Sequence, residues 1–84
     1  MKINNLVLEI MKITLEKNKE HKNTIFVDYH GHIDAIQVRV YRNGWNADDD
    51  PDYNATAYLS GIYDDKKNIE NIQGILNYLK NLED

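Results

Sequence analysis

Two alternating segments, residues 24–30 and 34–42, stand three residues apart, and this spacing limits the fold more than any other feature of the chain. In Thr24-Ile25-Phe26-Val27-Asp28-Tyr29-His30, the residues Ile25, Val27 and Tyr29 share one face of a strand, with Phe26, Asp28 and His30 on the other. In the second segment Ile36, Val38 and Val40 alternate with Gln37, Arg39 and Tyr41. So short a connection joins antiparallel strands only, because a parallel pair needs a crossover of about a dozen residues or more. Gly31 is the expected turn residue, since a positive φ costs it nothing.

A third, weaker strand is expected over 54–62, with Ala57 and Leu59 toward the core and Thr56 and Tyr58 outward. Between the second and third strands lies Tyr41-Arg42-Asn43-Gly44-Trp45-Asn46-Ala47-Asp48-Asp49-Asp50-Pro51-Asp52-Tyr53, which holds the only Trp, the only Pro and the densest acid. Asn43-Gly44 is a strong turn pair, and Pro51 with the Asp cluster makes the connection longer than a tight hairpin.

Outside this middle the apolar period becomes helical. Over 3–20, Ile3, Leu6, Val7, Ile10, Ile13 and Thr14 form one stripe, and Leu8, Met11 and Leu15 form a second beside it. Together they span roughly 220° at ~100° per residue, wider than one core-facing side requires. Two readings follow. Either this helix is packed from two sides within its own domain, or the second stripe is exposed and meets a partner or a second copy. Residues 17–23 read as helix end and polar loop, with His21 solvated. Near the C-terminus, Asp64 or Asp65 is placed to cap a helix striped by Ile69, Ile72, Ile75, Leu76, Leu79 and Leu82. Gly74 inside it costs ~1 kcal/mol relative to Ala and is expected to let the helix approach the sheet closely.

The order αβββα defines an α+β fold: a three-stranded antiparallel meander with two helices packed on one face, all of 1–84 forming a single domain. The opposite face is then open and displays Phe26, His30, Arg39, Tyr41 and Tyr58. Such a mixture serves either as cross-strand pairs that stabilise a thin sheet or as a protein-binding or dimerising face.

Eighty-four residues leave little room for a deep pocket. The chain has no Cys, hence no disulfide and no thiolate metal site, and no apolar run approaches the ~18 residues of a membrane span. These features fit a soluble, cytoplasmic protein. Residues 1–42 carry seven Lys and Arg against five Asp and Glu, a net +2, whereas residues 43–84 carry three against nine, a net −6. The acidic half argues against direct nucleic-acid binding, because phosphate neutralisation supplies most non-specific affinity. It is compatible with plain solubility, or with an acidic surface that competes for a basic groove.

No catalytic signature is present, and no cofactor is expected. His30-Gly31-His32, flanked by Asp28 and Asp34, has a metal-ligand look, but a turn at Gly31 is expected to split the pair and no third His stands near. Asp48-x-Asp50-x-Asp52 opens like a calcium loop and then fails, with Tyr53 at the glycine position and Leu59 at the closing Glu position. No metal site is therefore assigned. No Ser or Cys nucleophile motif and no phosphate loop occurs, so the expectation is not an enzyme. The acids at 48–52 and those at 64–65 flank the third strand, and two separate patches are expected. Trp45 beside the first patch is either a lid over the edge of the core or an anchor for a partner.

Met1, Ile3, Asn4, Leu6, Glu9 and Ile10 at the start, and Asn43-Gly44-Trp45-Asn46 followed by acid, resemble small proteins of phages and prophages. In particular they are similar to prophage-encoded inhibitors of type II CRISPR nucleases. That resemblance implies an αβββα-type core and an acidic surface that occupies the nuclease's site for duplex DNA. In those inhibitors the Gly-Trp motif follows a helix, whereas here it lies between strands, so what carries over is the class, an acidic anti-CRISPR inhibitor, and no residue-level mechanism. A Gly-His turn, a Val-Arg-Val-Tyr strand and a Gly-Trp loop also resemble uncharacterised phage proteins. The expected function is a non-enzymatic protein-interaction module directed at a basic, nucleic-acid-binding host protein. The alternative is a structural homodimer formed through the open sheet face or the second stripe of the first helix. Expected contact residues are Trp45, Asp48, Asp49, Asp50, Asp52, Tyr53, Phe26, Arg39, Tyr41 and Tyr58.

Overall fold

The hairpin forms as its alternation requires. The computed structural model describes residues 2–83, and in it β1 (Thr24–His30) pairs antiparallel with β2 (Ala35–Tyr41), which pairs antiparallel with β3 (Tyr53–Tyr58). The helices α1 (Lys2–Lys17) and α2 (Asp65–Lys80) complete an α+β fold of order αβββα. The register sets Ile25 opposite Val40, Val27 opposite Val38 and Tyr29 opposite Ile36, and then sets Val40, Val38 and Ile36 opposite Tyr53, Ala55 and Ala57. These residues share one face, and both helices lie on it.

The core is continuous from helix to sheet. Ile3 and Ile10 of α1 and Ile72, Ile75, Leu76 and Leu79 of α2 join Ile25, Ile36, Val38, Val40 and Ala57 in one cluster. Ile10, Ile36, Ile72 and Leu79 are wholly buried, and each contributes about 1.5–3 kcal/mol relative to exposure. α1 packs chiefly on α2 and lightly on β1, while α2 covers β3. Both helices run against their neighbouring strands, so their C-termini meet at one end of the molecule. There Lys17 Nζ donates to the carbonyls of Lys80 (3.1 Å) and Leu82, occupying acceptors that the end of α2 leaves free. Buried Asn23 donates to the carbonyl of Glu83 at 2.5 Å.

Several element ends differ from the sequence expectation, each for a local reason. α1 stops at Lys17 because Asn18 turns out of the helix, and its Oδ1 accepts from the Ile25 N–H at 2.8 Å. β3 stops at Tyr58 because Gly61 (φ 66) and Ile62 (φ 57) enter the left-handed region. Of the two capping candidates Asp64 is the N-cap, accepting from Lys67 N–H at 2.8 Å. Gly74 does not bring α2 close to the sheet: a Cβ there would meet nothing within 4 Å. The wholly buried Asn68 on α2 instead ties the helix to the preceding loop, its Nδ2 lying 3.4 Å from the Gly61 carbonyl and 3.3 Å from that of Tyr63.

In the β1–β2 turn the positive φ falls on Asp34 (φ 50), not Gly31. Asp34 tolerates it because its side chain is bonded on both sides. Ser60 Oγ donates to Asp34 Oδ2 at 2.5 Å and Tyr29 Oη donates to Asp34 Oδ1 at 2.6 Å, while the Asp34 carbonyl accepts from Leu59 N–H at 2.8 Å. One residue thus joins the ends of all three strands. The two hydroxyls, Ser60 first, hold the Asp34 carboxyl below its ordinary value of 3.8. The same contact raises the Tyr29 phenol above its own.

A carboxylate whose folded pKa lies below its unfolded value contributes stability that is fully present above the unfolded value and is lost as pH falls through the folded one. Asn accepts a positive φ, so Asp34→Asn removes the charge and keeps the turn. The variant is expected to be less stable than the parent at neutral pH, with the gap closing as pH drops below 3.8. Urea midpoints measured across the acid range check this, and a gap independent of pH contradicts it.

Candidate functional site

The connection between β2 and β3 is a fixed loop, and Gly44 sets its path. At φ 88 Gly44 turns the chain back onto the loop that precedes β1, where its N–H donates to the Lys22 carbonyl at 2.7 Å. A Cβ at this position would lie 3.4 Å from the His21 backbone. Asp52 closes the base, its Oδ2 accepting from Arg42 N–H at 2.7 Å while its own N–H donates to the Val40 carbonyl at 2.8 Å. Asn46 shapes the tip, its Oδ1 accepting from Asp48 N–H at 2.9 Å and its carbonyl from Asp49 N–H at 3.1 Å. Asp52 is therefore a structural acceptor, whereas Asp48, Asp49 and Asp50 are exposed.

This path carries Trp45 over the face of the sheet opposite the helices. Its ring centroid lies 6.5 Å from that of Phe26, inclined at 56°. Phe26 meets Tyr41 edge-on at 5.6 Å, and the Arg39 guanidinium sits 4.7 Å from the Phe26 centroid. Arg39 Nη2 also pairs with Asp28 Oδ2 at 3.1 Å. Tyr41 is only 7% exposed, while Trp45 keeps 54% of its surface in water. Trp45 is thus not a lid over the core between sheet and helices. It caps a second, smaller apolar cluster on the open face and leaves half of its ring available.

The ten expected contact residues fall into separate places. Trp45, Phe26, Arg39 and Tyr41 come together, with Asp48, Asp49 and Asp50 on the loop that carries Trp45. Tyr58 shares the open face but stands at its other end, opposite Ala35 and edge-on to Tyr63 at 6.2 Å. Tyr53 is on the helix-covered face and stacks on Tyr78 of α2 with centroids 3.7 Å apart and rings within 8° of parallel. Burial raises the Tyr53 phenol above its ordinary value. A polar row crosses the sheet between the two ends: His30 Nε2 meets Gln37 Oε1 at 3.0 Å, and Gln37 Nε2 donates to Asn54 Oδ1 at 3.0 Å. The acids at 48–52 and at 64–65 lie before and after β3, at its opposite ends.

The turn after β1 does not separate His30 from His32, whose rings meet edge to face at 6.3 Å. Among the described residues no group of three or more His, Asp or Glu is placed to hold a metal ion. A depression of about 420 Å³ beside the loop is lined by Lys22, Asn23, Arg42, Asn43, Asp52 and Glu83, a balanced set of charges. Of the two readings of α1, packing from both sides fails and exposure of the second stripe holds: Leu8, Met11 and Leu15 are 66, 37 and 77% exposed. The 220° apolar arc carried that signal. No protein-family model matches the chain, and no curated protein or solved structure matches it.

Because Gly44 aims the loop, Gly44→Ala is expected to disturb Trp45 as well as stability. A side chain at φ 88 costs about 1 kcal/mol or more. Trp45 is the only Trp, so its emission reports the site alone. A shift to longer wavelength with a lower urea midpoint is the expected pair of results, and unchanged emission would show that Gly44 does not place the ring.

Proposed function

We propose that the chain is a non-enzymatic protein-interaction module of phage or prophage type. It binds a basic, nucleic-acid-binding host protein in the cytoplasm, and a type II CRISPR nuclease is the particular partner that the resemblance implies. The observation that carries this reading is Trp45, half exposed over Phe26, with Asp48, Asp49 and Asp50 free beside it. A large flat ring held by neighbours gives contact area at little entropic cost, and Trp, Tyr and Arg dominate interface energies. Carboxylates next to it meet a surface built for phosphates and steer the encounter. The reading is also in keeping with the helices, none of which, among the described residues, is long and apolar enough to cross a membrane.

Calorimetry with a guide-loaded type II nuclease tests it, in the presence and absence of duplex DNA. Saturable binding that DNA competes away is expected. Trp45→Ala is expected to weaken it by about 2 kcal/mol or more, as interface anchors do. Asparagine at 48, 49 and 50 is expected to slow association and flatten the salt dependence. A complex that survives both changes at full affinity refutes the mechanism.

The exposed stripe of α1 favours a second reading, a homodimer. Leu8, Met11 and Leu15 are exposed, and Leu8 also lines an apolar hollow of about 320 Å³ with Asn4, Val7 and Leu59. Burying that surface against its own copy would remove it from water. Light scattering at micromolar concentration is then expected to give twice the mass of 9.9 kDa, and Leu8→Lys with Leu15→Lys is expected to restore the monomer. A strict monomer in the parent excludes this reading.

A further inference from the structure

The geometry points to the outer edge of β3 as a site that takes an extended, basic peptide segment as a fourth strand of the sheet. This inference is independent of the Trp45 surface, which lies at the opposite face.

The hydrogen-bond phase of the sheet identifies the free groups. Leu59 N–H donates to the Asp34 carbonyl, and these residues continue the β2–β3 register. Antiparallel pairs alternate between bonded and non-bonded, so Tyr53, Ala55 and Ala57 turn their backbone toward β2. Asn54, Thr56 and Tyr58 turn theirs outward. The other side of the sheet agrees: Ile25 N–H points away from β2 and reaches Asn18 Oδ1, which leaves Thr24, Phe26, Asp28 and His30 for the β1–β2 ladder. Among the described residues the outward groups of Asn54, Thr56 and Tyr58 have no backbone partner beyond β2.

Proteins guard such edges with charges, Pro or bulges, because an open row of N–H and C=O groups templates another strand. The β1 edge is partly guarded, with Asn18 on Ile25 N–H. Tyr-Asn-Ala-Thr-Ala-Tyr of β3 contains neither a charge nor Pro. Beside it, between β3 and α2, runs an open groove of about 380 Å³ whose lining includes Tyr53, Ala55, Tyr63, Glu70, Asn71 and Gly74. Small side chains at Ala55 and none at Gly74 keep it open, and nothing stands within 4 Å of a Cβ at Gly74. This gives Gly74 a purpose that close helix–sheet packing does not. A strand paired with Asn54, Thr56 and Tyr58 would send alternate side chains into this groove, as in other strand-addition sites.

Charge selects the occupant. Among the described residues Glu70 is the only charged one lining the groove, and acids stand at both ends of β3, at Asp48–Asp52 and at Asp64–Asp65. A Lys or Arg in the added strand lays its stem along the tyrosines and brings its head to Glu70.

The probe is a fluorescein-labelled nine-residue peptide alternating Val and Lys, with two controls: the same peptide N-methylated at alternate residues, and one alternating Val and Glu. Saturable binding of the Val–Lys peptide alone is expected. Hydrogen exchange at the amides of Asn54, Thr56 and Tyr58 is expected to slow on binding, while that at Ala55 and Ala57 is already slow. Thr56→Pro removes an outward donor without touching the β2 ladder, and Gly74→Leu fills the groove while favouring the helix. Each is expected to weaken binding at least tenfold with circular dichroism unchanged. Absence of saturable binding, equal binding of the N-methylated or Glu peptide, or unaltered affinity in Gly74→Leu overturns the proposal. So does pairing of β3 with a second copy, seen as slowed exchange at the same three amides on raising concentration without peptide.

Discussion

The middle strand carries the molecule. β2 bonds through Ile36, Val38 and Val40 to β3 and through Ala35, Gln37, Arg39 and Tyr41 to β1. Five of its seven residues are buried. A three-stranded sheet has one interior strand, and here its helix-facing side is lined by the β-branched Ile36, Val38 and Val40. Its even-numbered residues form the floor for both helices, and its odd-numbered residues form the open face. The two surfaces of the protein are therefore coupled through one backbone: moving Val38 moves Arg39. That coupling lets a small domain hold a half-exposed cluster in a defined place with little material behind it.

One-sided cover creates a second constraint, because each helix ends without a neighbour beyond it. Polar side chains hold these ends. Lys17 and Asn23 bind carbonyls at the end of α2 and just beyond it, Asp64 binds the Lys67 N–H at its start, and Asn68 holds the loop between β3 and α2. Each is a net gain of about 1 kcal/mol, and more where the partner would otherwise be buried unpaired. For a chain whose total stability is on the order of 5 kcal/mol, four such ties decide whether the termini stay docked.

The fold was legible because period and spacing are local. The change from helical spacing at Ile13 to alternation at Ile25, and back to helical spacing at Ile69, fixed the element order, and the three residues between the hairpin strands fixed its direction. The site was legible only in part. Phe26, Arg39 and Tyr41 follow from strand parity, but their meeting with Trp45 depends on Gly44 at positive φ against the Lys22 backbone, a contact between loops distant in sequence. Tyr53 was counted with the connection because the third strand was expected to begin at 54, whereas it opens β3 in phase with Ala55 and Ala57. It is joined instead to Tyr78 by stacking across layers. Asp34 took the strained turn position in place of Gly31 because Tyr29 and Ser60 hold its carboxylate, and Ser60 comes from another strand end. Asn68 did leave a trace: it sits four residues before Ile72 on the apolar stripe of α2, where a polar residue requires a buried partner.

Among the described residues three surfaces stand without intramolecular cover: the Trp45 face, the α1 stripe and the β3 edge. They differ in what they ask of an occupant. The α1 stripe offers only apolar area, so it discriminates poorly and is satisfied by any greasy counterpart, including itself. The Trp45 face combines a ring with three free carboxylates, so it selects by charge first and by shape second. The β3 edge asks for backbone in an extended state, which a folded globular partner rarely exposes, and then for a cation in a groove that holds one acid. Since the acids of both surfaces sit in the half of the chain that carries −6, they select the same sign in their partner. A basic protein with a flexible segment beside its groove would satisfy both at once, and the second contact would then form at the effective concentration set by the first.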